Sequence, residues 1–159
     1  AATMWISYLM AAAGSIVGGM FTKALMKNKT VDFARKATIS LGGVLILIAF
    51  VCIITMVGEN NFMTFIYLAG LALLGFQFAI GNIQTLSSDL FRGPSVGTMA
   101  GLAGMIAAVS PMIMNWFVGQ ITGTSYVPAF VAICVSVTLG VLTIFFFIRK
   151  VEPVRKSID

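Results

Sequence analysis

The residues best placed to do chemistry are uncharged amides set in apolar sequence: Gln77, Asn82 and Gln84, with Asn115 further along. An amide in hydrocarbon needs a hydrogen-bonding partner, either a neighbouring helix or a polar solute. Gln77 and Gln84 are separated by about 700° at about 100° per residue, so they share one helix face. Asn82 lies roughly 140° round from Gln77, so one cavity need not see all three. Gln77 and Asn82 are read as lining a substrate site or gate, in competition with a role joining helices. Asn115 is a further candidate for that site, whereas Gln84, nearer the end of its apolar stretch, reads as structural. Pro111, beside Ser110, has no N–H for the carbonyl of residue 107, which predicts a kink or loosening there. Broken membrane helices expose backbone to solutes, although most membrane prolines only bend a helix.

Other chemistry is excluded by what the sequence lacks. There is no histidine, so no Ser-His-Asp triad accompanies Ser87, Ser88 and Asp89. No HExxH, GxSxG or phosphate loop occurs, and no pair of acids interrupts an apolar stretch. Cys52 and Cys134 both sit in apolar stretches, where a thiol acts as a small hydrophobe. The expectation is a protein that is not an enzyme and carries no cofactor and no metal.

The elements that must position the amides follow from hydropathy and charge. Charged residues make up 9% of the chain and mean hydropathy is +1.03, against roughly a quarter charged in an ordinary soluble domain. Apolar stretches of about 20 residues, enough to cross a ~30 Å hydrocarbon core as helix, alternate with basic clusters. The expected spans are 5–22, 37–57, 62–87, 96–121 and 129–148. The basic residues fall at Lys23, Lys27, Lys29, Arg35 and Lys36, at Arg92, and at Arg149, Lys150, Arg155 and Lys156. Up-and-down threading puts all of these on one side, which basic residues mark as cytoplasmic. Residues 23–36, 88–94 and 149–159 are accordingly assigned as a cytoplasmic loop, a cytoplasmic turn and a cytoplasmic tail. The net charge of +5 is this belt, facing anionic lipid, and not a nucleic-acid signal.

Helices are expected because lipid-exposed backbone must satisfy its own hydrogen bonds, and the runs lack the alternation of barrel strands. The fold class is therefore all-α, a polytopic membrane bundle of five transmembrane helices. Five spans, an outside N-terminus and no export signal suit a segment of a longer protein, with an odd number of spans upstream. Small residues recur at four-residue spacing: Gly14 and Gly18, Gly97 and Gly101, Ala100 and Gly104, Gly119 and Gly123. Such faces predict close helix packing. Trp5, Trp116 and Tyr126 are expected as anchors at the outer interface.

Several runs, taken in order, resemble a known family. Trp5 through Leu9 to Gly14, then Gly18 and Gly19, is similar to helix eight of major facilitator superfamily transporters. Within them the likeness is to the anion:cation symporter family, especially its bacterial hexuronate transporters. Ala34, Arg35, Lys36 resembles the end of that family's loop between helices eight and nine. Gln77, Asn82, Thr85, Leu86, Ser88, Asp89, Leu90, Phe91 resembles the end of helix ten. Val96, Gly97 and Gly101 through Met105 resemble its glycine-rich helix eleven. The chain departs from the pattern at Ala12, acidic in many relatives, and at Lys23, where the loop motif has aspartate. Arg92 stands for a usual proline, and Ser110 and Pro111 for part of a glycine pair.

The resemblance implies helices eight to twelve of twelve, a partial C-terminal half of a major facilitator fold in the cell membrane (a bacterial inner membrane). It implies part of a secondary transporter moving a small organic anion such as a sugar acid by alternating access. The implied partners are a coupling ion (proton or sodium), the lipid bilayer and the missing N-terminal half. No acid or base falls inside a span, so the group that pairs with the anion and the coupling group are expected on the missing helices. The other reading is a complete five-span assembly module that packs on a partner through its glycine faces and transports nothing itself.

Overall fold

The computed structural model describes residues 3–56, 62–91, 93, 95–121 and 126–147. The described residues form five α-helices: α1 Trp5–Met26, α2 Val31–Met56, α3 Phe62–Leu90, α4 Ser95–Ile121 and α5 Val127–Phe147. All five are long and apolar enough to cross a membrane. The loop 58–61, residues 122–125 with Gly123, Arg92, Pro94 and the basic tail 149–159 lie outside the described residues.

The first two helices run past the limits that charge suggests. Residues 23–36, expected as a loop, are helical except for the turn at 27–30. Charge marks where a helix leaves hydrocarbon, whereas backbone pairing stops only where the chain turns. The N–H of Lys29 donates to the carbonyl of Leu25 at 2.9 Å, closing α1. Thr30 Oγ1 accepts from the N–H of Phe33 at 3.3 Å, and Asp32 occupies the first turn of α2. Both favour a helix start, the hydroxyl by satisfying a free donor and the carboxylate through the helix dipole.

α3 is the axis of the packing. α1 and α2 both lie along it, and α5 packs on α2, with Ile144 reaching the cluster of Ile39, Ala79 and Leu86. α4 touches α3 and α5 only marginally. In their most apolar stretches, 33% of α2 and of α3 is buried, against 0% of α4. The cause is visible at glycines. A Cβ on Gly18 would come within 2.8 Å of the Phe78 carbonyl oxygen, and one on Gly75 within 2.8 Å of the Gly42 carbonyl oxygen. Helix backbones meet there with no room for a side chain. On α4, Gly97, Gly101, Gly104 and Gly119 have nothing within 4 Å of that position. The close packing expected from four-residue spacing therefore holds for α1 and is not realised on α4. Pro111 lies inside α4, and the helix continues through it.

Candidate functional site

Close approach of α1 to α3 brings polar groups into contact at the end of the bundle that carries Lys23 to Lys36. Asn82 is buried, with 2% of its surface exposed, and faces both α1 and α2. Its Oδ1 accepts from Arg35 Nη1 at 2.8 Å and has Thr22 Oγ1 as a second donor at 2.7 Å, one for each lone pair. Its Nδ2 donates to the Phe78 carbonyl at 3.1 Å, within its own helix. Thr22 and Thr38 are also buried, and their hydroxyl oxygens lie 2.9 Å apart.

A hydroxyl has one hydrogen to give. Thr22 can direct it to the Gly18 carbonyl, 2.9 Å away, or to Asn82. Given to Asn82, it leaves Thr22 Oγ1 free to accept from Thr38. Thr38 likewise has one hydrogen, which it can direct to Thr22 or to the Ala34 carbonyl, 2.8 Å away in its own helix. With it directed to Thr22, the bonds run from Thr38 to Thr22 to Asn82 and link α2, α1 and α3. Arg35 closes the group from the other side: its Nε donates to Asp89 Oδ2 at 2.9 Å. That pair is partly buried, its side chains 15% and 25% exposed, so water screens it less than a surface pair. Arg35 thus holds both Asn82 and Asp89, two positions on α3.

The sequence candidates do not converge. Asn82 faces the α1 and α2 contacts, while Gln77 is half-buried and makes no side-chain hydrogen bond among the described residues. Gln84 is exposed towards the end of α3. Asn115 is exposed on α4, also without a side-chain hydrogen bond among the described residues. Trp5, Trp116 and Tyr126 are exposed, and Cys52 and Cys134 are free thiols. Sequence reasoning missed Thr22 and Thr38, and took Arg35 and Asp89 only as charge belt and motif. One signal was available: Thr22 follows Gly18 by one turn, on the face where α1 must approach a neighbour.

A second hydroxyl ties α1 to α3 at the opposite end. Ser7 Oγ, buried, donates to the Ile66 carbonyl at 2.9 Å. On α5 the hydroxyls stay at home: Ser136, Thr138 and Thr143 donate to carbonyls four residues back, at 2.8 Å. Such bonds let a polar side chain sit on an apolar helix without a partner.

These features define an all-helical chain whose five helices have the length and apolarity of membrane spans. In comparison with known proteins, it is 31% identical over 148 residues to the hexuronate transporter of Escherichia coli (strain K12), and equally to that of Escherichia coli O157:H7. The alignments cover 89% of this chain and 32% of each relative, so the chain spans about a third of the length of the transporters it matches. No protein-family profile matches the chain, and neither does a solved structure.

Proposed function

We propose that this chain is the C-terminal part of a major-facilitator-type secondary transporter that moves a small organic anion, with a hexuronate-like sugar acid as the first substrate to test. The observation that carries the reading is the 31% identity to hexuronate transporters along 89% of a chain folded into five span-length helices. In this reading the Lys23 to Lys36 end faces the cytoplasm of a bacterial inner membrane. The N-terminal helices, a proton or sodium ion and the bilayer complete the machine.

The geometry suggests a division of labour among the amides. Gln77 and Asn115 have side chains free to meet substrate hydroxyls. Asn82 is held by Thr22 and Arg35, so its proposed part is to fix the cytoplasmic end of α1, α2 and α3 as one gating unit. The test is uptake into proteoliposomes by the complete gene product, using sugar acids against neutral sugars, with and without a proton or sodium gradient. Gradient-driven accumulation of one acid is expected. Gln77→Ala should raise KM roughly tenfold, the loss of about 1.4 kcal/mol of binding, with the folded yield unchanged. Unaltered KM in a destabilised protein would make Gln77 a helix joint instead.

The bare face of α4 favours a second reading, the five-span assembly module. A gene that encodes about seven more spans upstream supports the transporter, and a start codon beside Ala1 supports the module.

A further inference from the structure

The described charges fall into two sets. Arg35 pairs with Asp89, and Lys36 with Asp32 at 2.9 Å, so these four neutralise one another. Lys23, Lys27 and Lys29 have no acidic partner among the described residues, and all three are exposed. Among the described residues, the unbalanced positive charge is thus concentrated on the end of α1 and the turn that follows. Lys23 and Lys27 are one helical turn apart, where like charges repel. A bound anion would relieve that repulsion.

The turn has the shape and chemistry for one. Lys27, Asn28, Lys29, Thr30 and Phe33 line an open hollow. Two ammonium groups and an amide NH₂ supply donors suited to phosphate oxygens. Lys29 Nζ lies 5.9 Å from the centre of the Phe33 ring, within range of its attraction for a cation. Phe33 and Val31 are themselves 51% and 41% exposed. Donors and the Phe33 ring therefore share one hollow, directly beyond the apolar length of α1, with Val31 exposed two residues away.

We propose that the α1–α2 turn is a binding site for the phosphate headgroup of an anionic phospholipid. Lys27 and Lys29 hold the phosphate and Lys23, one turn back on α1, adds to the positive field, while Phe33 and the neighbouring Val31 lie against the upper acyl chain. A free phosphate ion would gain nothing from those two apolar residues, which is why the lipid is the assigned source. The inference rests on the reading of the helices as membrane spans.

The test reconstitutes the complete gene product into nanodiscs of phosphatidylcholine, with or without phosphatidylglycerol, and reads retained lipid by native mass spectrometry. On the order of tenfold preference for phosphatidylglycerol is expected, falling as salt rises. The triple variant Lys23→Gln, Lys27→Gln, Lys29→Gln should lose the preference, and Phe33→Ser should weaken it while leaving the lysines in place. Inorganic phosphate should compete poorly. Undiminished preference in the triple variant would overturn the site, as would displacement of the lipid by equimolar phosphate. Binding of a soluble acidic peptide with no lipid preference would also overturn it. Failure to enter phosphatidylcholine nanodiscs would sink the membrane reading and this site together, whereas normal entry without lipid preference would sink the site alone.

Discussion

The three helices α1, α2 and α3 and the single helix α4 are equally apolar in kind, yet they solve opposite problems. In the first group glycines bring backbones together, and the polar side chains between them bond across helices: Ser7 to Ile66, Thr22 to Asn82, Arg35 to Asp89. On α4 the glycines face open space and Asn115 makes no side-chain hydrogen bond among the described residues. α5 is a third case, closing its hydroxyls on its own carbonyls and packing Phe130 on Phe50 at 5.6 Å between ring centres. An amide cannot be left bare in lipid at no cost, so α4 has the surface of a helix that needs a partner, and α5 that of one that can face acyl chains.

The contrast can be broken by substitution, in detergent-solubilised protein unfolded with a denaturing surfactant. Gly18→Val should have the largest effect, about 3 kcal/mol, because its side chain would collide with the backbone of Phe78, which has little freedom to move. A smaller loss than for a valine placed on α4 would refute the close approach. Arg35→Gln should follow at about 2 kcal/mol, discounted for the partial exposure of its pair with Asp89. Combined with Asp89→Asn it should be markedly less than additive, and simple additivity would mean that the pair carries no coupling.

Thr38→Val is expected at about 1 kcal/mol, in keeping with interhelical hydrogen bonds in membranes. The matched Thr143→Val on α5 should be near neutral, since that hydroxyl serves only its own helix. Equal costs at the two sites would show that the bond between Thr22 and Thr38 adds nothing. Gly101→Ala should be smallest, within about 0.5 kcal/mol in this chain. The same change in the complete gene product sharpens the comparison: a clear loss there, with none here, would show α4 covered by helices beyond this sequence.

Much of the fold was legible because hydropathy reports on solvent, and in a membrane solvent dictates secondary structure. Five helices followed from apolar length, and Gly14 and Gly18 pointed correctly to a packed face. The same spacing on α4 carried no such meaning, because a four-residue repeat says that close approach is possible and not that a neighbour is present. The site was less legible. Asn82 stood out as an amide in apolar sequence, but whether it meets helix or solute depends on Thr22 and Arg35, which are distant in sequence and unremarkable in type. Arg35 looked like topology because charge near a span end usually is; its second role as a donor to α3 needed the geometry.

The two links between α1 and α3, at Ser7 and Thr22, are fifteen residues apart, about 22 Å along a helix. Together they fix register as well as proximity. Point changes on the outer face of α1 leave both links intact. A single inserted or deleted residue between them turns one end by about 100° relative to the other, so only one link survives. The outer face of this helix should therefore tolerate changes of residue, whereas its length between the two links should not tolerate change.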